Sequence, residues 1–294
     1  MEIRLFDKII SIKSAGCRYG AQPAVVIPPS VNLFVKVTNG CNARCAFCSN
    51  ARCNVIKAEF DHSKLWRIID ELQAKKILVN RVNITGGEPA IVPEVVNQIL
   101  AQASTTRYKD IHFHLNTNGL LPTSQTLMRH PRWNSISMSL HHYDKNILSE
   151  IYGSQIPDGA FSFNVVNMNI VNASCNLIRG YIDSDTEVEK MLQCAISLGL
   201  PRLGFVSLMK VNDYCREHYV DFNEINFEAI PHLYFTESRN RGADCKCSNY
   251  LYNHKGKILE VYMRNYANPN YCESSLMYDG QYLRQGFHDD NIIY

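Results

Sequence analysis

The chain has 294 residues, about twice a usual single-domain length yet within reach of one α/β barrel plus an appendage. With 46% hydrophobic and 20% charged residues it carries enough apolar surface for a core and too little charge for disorder. Thirty basic against 28 acidic residues leave a formal net charge of +2, which argues against a global field for nucleic acid or an anionic membrane. Residues 1–16 lack the apolar core and cleavage site of a signal peptide, and no apolar run approaches the roughly 18 residues of a membrane span. A soluble, cytoplasmic protein is expected.

In chain order, residues 1–30, with Gly16, Gly20 and Pro28-Pro29, read as a β-ribbon or arm. A strand is predicted over 33–38, then a helix over 63–77 whose apolar residues Leu65, Ile68, Ile69 and Leu72 recur three to four apart, with Asp61 or Ser63 as N-cap. A second strand, 81–85, ends in Gly86-Gly87. The alternation continues with helix 93–103, strand 111–116, helix 124–130, strand 135–140, helix 144–152, strand 173–182, helix 186–198 and strand 203–209. Six βα units in a row predict an α/β fold with a parallel sheet and right-handed crossovers: a partial (βα)6 TIM-type barrel, two units short of closure. After about Val211 the rhythm gives way to Tyr-, Asn- and His-rich sequence with one hairpin signal, 253–256 between strands 249–252 and 257–262. The expected division is an arm at 1–30, a barrel at 31–211, and a small C-terminal extension at 212–294 covering the open side or mouth. There is no internal repeat or low-complexity linker.

Eleven cysteines in a chain without an export signal do not form a disulfide framework, since the cytosol keeps thiols reduced and an odd number cannot all pair. Clustered cytosolic cysteines usually hold metal. Cys41, Cys45 and Cys48 lie within eight residues, directly after a predicted strand end, where parallel α/β sheets bind ligands. Three thiolates from one short loop can ligate three irons of a [4Fe–4S] cluster and leave the fourth open to a cosubstrate. The alternatives are zinc with a distant fourth ligand, or plain thiols; structural zinc more often uses paired Cys-x2-4-Cys halves. At the next strand end stands Thr85-Gly86-Gly87-Glu88-Pro89, whose glycines are expected to expose backbone to a bound group.

The Cys-x3-Cys-x2-Cys triplet followed by Gly-Gly-Glu-Pro on six βα units resembles the radical S-adenosylmethionine superfamily over roughly residues 31–211. The resemblance implies a partial barrel and a [4Fe–4S] cluster on Cys41, Cys45 and Cys48. It further implies S-adenosylmethionine chelated at the unique iron, cleavage to a 5′-deoxyadenosyl radical, hydrogen abstraction from a substrate, and a one-electron reductant such as flavodoxin or ferredoxin. Within the superfamily the pattern is similar to the molybdenum-cofactor GTP cyclase and its SPASM/twitch relatives. That likeness implies cosubstrate contacts from Phe47, Thr85, Gly86, Gly87, Glu88, Ser139 and Met209. Thr117 is expected to face the substrate pocket, and Arg179 to pair with a carboxylate. Phe47 and Met209 also read as core residues, Ser139 as a strand-end cap, and Arg179 as half of a surface ion pair.

The same likeness argues against GTP. Family positions that hold basic residues for the triphosphate on the first, second and fifth strands are Phe34, Asn83 and Asn172 in this chain, so the barrel is expected to lack phosphate-clamping cations. Relatives carry a second [4Fe–4S] cluster on Cys-x2-Cys-x13-Cys. This chain departs from that spacing: Cys245 is one residue too near Cys247, and Val261 takes the third position, leaving Cys245, Cys247 and Cys272 as the candidate set for a second cluster or zinc. Cys17, Cys53, Cys175, Cys194 and Cys215 read as buried or free thiols.

The expected substrate is a peptide or a polar small molecule, bound at a mouth lined by Asn83, His112, His114, Asn116, His141 and His142, with Cys215 or Tyr214 as hydrogen-atom donors. The first 30 residues are too short for a winged leader-binding domain, which weakens the ribosomal-peptide case. The competing expectations are a nucleotide- or cofactor-modifying enzyme and, in another class, a non-catalytic metal-binding or redox-sensing protein.

Overall fold

The protein is described from a computed structural model over residues 2–12, 29–49, 59–161, 167–238, 247–265, 274–286 and 291–294. Local sequence sets each element. Helix α1 (His62–Ala74) starts where the Asp61 carboxylate accepts the Lys64 N–H at 2.9 Å, and buries Leu65, Ile68, Ile69 and Leu72. Burial of each such side chain contributes about 1.5–3 kcal/mol. The helix ends three residues before the predicted stop, because Lys76 turns left-handed (φ 58°) and the Ile77 N–H returns to the Leu72 carbonyl. Helix α4 (Lys145–Tyr152) is capped by Asp144 and closed by Gly153 at φ 56°. The remaining helices are α2 (Pro93–Ala103), α3 (Pro122–Met128), α5 (Asp185–Ser197) and α6 (Asp213–Glu217).

Strands β1 (Glu2–Leu5) and β2 (Lys8–Ser11) form a separate hairpin. Strands β3 (Ser30–Lys36), β4 (Leu78–Thr85), β5 (Phe113–Thr117), β6 (Ser135–Ser139), β7 (Val171–Leu177) and β8 (Arg202–Ser207) pair in parallel and in sequence order. Strand β7 is shorter than predicted because Ile178 and Ile182 bridge each other across a tight loop with Gly180 at φ 87°. An order with no reversal, joined by right-handed crossovers, puts every connecting helix on the same side of the sheet. The side chains agree: Leu33, Ile84, Leu115, Met138, Ala173 and Phe205 are fully buried in one core with the helices. The alternate residues form an inner face that is polar, with Asn83, His114, Ser137, Asn172 and Ser174 in adjoining registers. The architecture is thus an α/β fold with a mostly parallel sheet.

The C-terminal segment differs from the expected separate element. Strands β9 (Leu233–Ser238), β10 (Ser248–His254) and β11 (Lys257–Arg264) extend the sheet beyond β8, and β12 (Ser274–Tyr278) with β13 (Leu283–Gln285) extends it beyond β3. The sheet order is β13-β12-β3-β4-β5-β6-β7-β8-β11-β10-β9. The physical reason is the edge problem: β3 and β8 would otherwise expose unpaired backbone, and β12 and β11 pair with them in parallel. The predicted hairpin forms between β10 and β11, with only Lys255 (φ 52°) and Gly256 (φ 77°) in the turn.

Candidate active site at the strand ends

The segment 38–48, just beyond β3, is anchored to the carboxyl ends of several other strands. Beyond β4, the Gly87 N–H donates to the Thr38 carbonyl and the Glu88 N–H to the Gly40 carbonyl, both at 2.8 Å. After β5, the Asn118 amide donates to Asn42 Oδ1 at 2.8 Å. On the β6–α4 unit, the Arg44 N–H donates to the Tyr152 carbonyl at 2.6 Å, and the Tyr152 hydroxyl donates to the Ser139 carbonyl at 2.7 Å. After β8, the Asn212 amide donates to the Ala46 carbonyl at 3.0 Å and the Cys215 thiol contacts the Phe47 carbonyl at 3.5 Å.

This explains the Gly-Gly pair differently from the sequence reading. A Cβ on Gly87 would lie 1.9 Å from the Gly40 carbonyl oxygen, and one on Gly86, at φ 155°, would lie 2.5 Å from the Thr38 carbonyl oxygen. The glycines permit close packing of the β4 end on the cysteine loop, a requirement independent of any ligand. Glu88 is likewise turned inward: it is 1% exposed, and its carboxylate accepts from the Ala90 N–H (3.0 Å), the Thr117 hydroxyl (2.7 Å) and the Asn118 N–H (2.7 Å). Burial raises its pKa, against those three hydrogen bonds. Thr117, expected at the substrate pocket, is therefore committed to Glu88 and to the Gly119 N–H, and is 4% exposed.

Phe47 packs edge-on to His141 with ring centroids 4.9 Å apart, and joins Ile151, Ile178, Leu208 and Cys215 in a small cluster. His141 accepts the Asn176 N–H at Nδ1, and burial lowers its pKa to about 3, so it is neutral. Thr85 is half-buried at the end of β4, and Met209 is half-buried just beyond β8. Several residues depart from expectation. Arg179 pairs with Glu224 at 2.6 Å and also reaches the Tyr219 carbonyl, so the ion-pair alternative holds. His142 is 2% exposed and faces a cavity bounded by Leu148, Phe161 and Cys194 on the helix side, away from the mouth. Tyr214 stacks on His218, and the buried Cys215 lies against the Phe47 carbonyl of the cysteine loop. Cys175 is buried on the helix side and Cys194 is partly buried.

Cys247 sits just before β10 and is buried, its sulfur accepting the Asn265 N–H at 3.3 Å. Asn265 in turn accepts from the Ser207 hydroxyl at the end of β8. Cys245 and Cys272, like Cys17 and Cys53, lie outside the described residues.

On the inner face, Tyr262 lies across Gly204, where a Cβ would come within 2.0 Å of its ring, and its hydroxyl accepts from Asn172, which also donates to Ser137. The expectation of a face without cations needs correction. Arg81 shares the parity of Asn83 on β4, as Lys36 shares that of Phe34 on β3 and Arg264 that of Tyr262 on β11. Matching single family positions missed these neighbours; counting by twos from Asn83 along β4 would have found Arg81.

Three thiols on the one short loop 41–48 can each bind a different iron of one cluster. Ligand sulfurs on one tetrahedral zinc lie roughly 3.8 Å apart. Among the described residues no three Cys, His, Asp or Glu side chains are grouped to hold one ion. A cubane binds each thiolate through a different iron, which lets the sulfurs stand further apart. Partial desolvation, joined by the charges of Glu88 and Cys48, raises the Cys41 thiol pKa against the opposing Ala43 N–H hydrogen bond. Iron cations would relieve that crowding of negative charge.

Residues 35–158 match the Radical SAM superfamily. The fold, the cysteine loop and this match over part of the chain make it similar to radical S-adenosylmethionine enzymes, a family that implies a [4Fe–4S] cluster and S-adenosylmethionine. More particularly, the chain is similar to "Probable GTP 3′,8-cyclase" of Saccharolobus islandicus, 24% identical over 279 residues, covering 90% of this chain and 85% of that protein. It is also similar to "GTP 3′,8-cyclase" of Petrotoga mobilis, 26% identical over 201 residues, covering 65% of this chain and 61% of that protein. Among solved structures it resembles Streptococcus suis SuiB bound to precursor peptide SuiA, with TM-score 0.52 and 17% identity over 64% of this chain and 42% of SuiB. A radical SAM methyltransferase from Sphaerobacter thermophilus aligns with TM-score 0.51 and 14% identity over 67% of this chain and 61% of that one. The chain thus spans less than two thirds of the Petrotoga, SuiB and Sphaerobacter proteins. Among the described residues no helix is long and apolar enough to cross a membrane.

Proposed function

We propose that this enzyme abstracts hydrogen from a peptide or polar small molecule held on the inner face of a partial (βα)6 barrel. The observation that carries the reading is the anchoring of 38–48 to the ends of β4, β5, β6 and β8, next to a face whose side chains are amides, imidazoles and hydroxyls. When bound, the cluster and S-adenosylmethionine supply a 5′-deoxyadenosyl radical. Cys41, Cys45 and Cys48 would hold the cluster. Phe47, Ser139, Gly87 and Met209 would border the cosubstrate, with Glu88 acting through the loop it braces. Closing the site against water falls to the apolar contacts around Phe47. Cys245, Cys247 and Cys272 remain the candidate ligands of a second cluster, and a flavodoxin- or ferredoxin-like protein the candidate reductant.

Acting on GTP is the second reading, favoured by the names of the Saccharolobus and Petrotoga proteins. Against it stand Phe34, Asn83 and Asn172 where that family holds cations. Anaerobic reconstitution tests the main reading. Brown protein that forms 5′-deoxyadenosine from S-adenosylmethionine and dithionite supports it; colourless, zinc-loaded protein overturns it. GTP-stimulated turnover would move the assignment to the second reading.

A further inference from the structure

The inner face carries two buried donors that the fold leaves unsatisfied. Asn83 is 1% exposed and its Nδ2 has no hydrogen-bond partner; Arg81, two residues earlier on the same face of β4, is partly exposed, but its Nε is buried and likewise has none. Leaving a buried donor unpaired costs about 1–3 kcal/mol, so two at neighbouring positions call for an acceptor from outside the chain.

A chain of hydrogen bonds on the adjoining strands adds a third donor. Ser135 Oγ lies 2.7 Å from His112 Nε2 and 2.6 Å from His114 Nδ1, and one hydroxyl proton can serve only one of them. His114 Nε2 lies 3.3 Å from Asn116 Oδ1, a pure acceptor, so that nitrogen carries the proton and Nδ1 does not. The direction follows: His112 donates to Ser135, Ser135 donates to His114, and His114 donates to Asn116. The Asn116 carbonyl oxygen is thereby occupied, and its amide nitrogen is the end left to meet a ligand. Arg81, Asn83 and Asn116 all present N–H groups, and Asn83 and His114 are register neighbours across β4 and β5.

We infer that Arg81, Asn83 and Asn116 form a receptor for a carboxylate carried by the substrate. The inference rests on the proposed function, which makes the inner face the substrate site. Charge selects a monoanion. Arg81 supplies one positive charge, while burial and the Arg81 charge keep both His112 and His114 neutral, the latter with a pKa of about 3. Of the other cations on this face, Arg264 on the far strand β11 is held by the Ser248 carbonyl and Asn249 of β10, and Lys36 stands at the mouth end of β3. A di- or trianionic phosphate would be undercompensated by one guanidinium, whereas a carboxylate is matched. Phe34, the register neighbour of Asn83 on β3, offers an apolar wall for the carbon next to the carboxylate. Two residues along β4, roughly 6.6 Å, separate Asn83 from Thr85 at the strand end. The carbon that loses hydrogen therefore lies several bonds from the carboxylate.

The test uses the full chain, with acetate as probe and inorganic phosphate as competitor at constant ionic strength, followed by NMR line broadening of the acetate methyl signal. Saturable acetate binding weakened tenfold or more by Arg81→Met and by Asn83→Leu, and not displaced by equimolar phosphate, is the expected result. Absent or non-saturable binding, equal binding in the variants, or preferential displacement by phosphate overturns the carboxylate assignment. Asn83→Leu keeps the volume of the side chain, so it carries the test if Arg81→Met does not fold. Reconstituted wild-type protein is assayed separately for 5′-deoxyadenosine. Failure there removes the proposed function, while failure of acetate binding in protein that forms 5′-deoxyadenosine removes only this inference.

Discussion

Glu88 shows how a residue of a catalytic motif can act from inside the fold. Its two oxygens tie the β4 end to the β5 end through Ala90, Thr117 and Asn118, and its backbone N–H ties both to Gly40 in the cysteine loop. Replacing it with Ala would orphan three buried donors at about 1–3 kcal/mol each. Glu88→Gln keeps an acceptor and removes the ionisation. Because burial raises the folded-state pKa of Glu88 above the ordinary 4.5, its contribution is fully present below 4.5 and is lost as pH rises through the raised value. In denaturant unfolding, the advantage of wild type over Glu88→Gln should therefore be largest at acid pH and shrink toward neutrality. An advantage that grows with pH would show the ionised form to be the one the site favours. The places of the Cys41, Cys45 and Cys48 triplet after β3 and of Gly-Gly-Glu after β4 were legible from the sequence, whereas the packing role of the glycines and the burial of Glu88 and Thr117 were not. Which face a strand-end residue takes depends on how the cysteine loop packs over it.

At the level of elements, periodicity located the βα units well, since α2 occupies its predicted span and the apolar face of each strand follows the alternation. Ends were less legible because turns fix them: Lys76 ends α1 and Gly180 ends the β7 region through left-handed backbone that hydropathy does not register. The β10–β11 hairpin supports a local prediction. Lys255 holds a left-handed conformation that Asn tolerates better, and it precedes Gly256 in a two-residue turn. Lys255→Asn should raise stability by about 0.5–1 kcal/mol. A lower denaturation midpoint in the variant would count against this turn. The same parity argument that puts Leu33 and Leu115 in the core puts Arg81 beside Asn83, and the inner face becomes readable once one member is placed.

At the scale of the molecule, the segment after 211 is where sequence reasoning was least informative, because its strands join the sheet at both ends and local pattern does not specify a partner so far away. Of its two described cysteines, Cys215 and Cys247, the second is held near the end of β8 through Asn265. If a second cluster is bound there, Cys247→Ala should lower iron by about four atoms per chain relative to wild type after reconstitution. An unchanged count removes the second cluster. The pairing of β12 with β3 carries a further consequence, for the order of folding. Leu33 meets Leu276 and Val35 meets Tyr278, contacts between strands far apart in the sequence. Such a contact order predicts slow folding, and during translation β3 must wait with one edge unpaired until β12 has left the ribosome. A nascent chain stalled before residue 274 would present that edge as a template for aggregation.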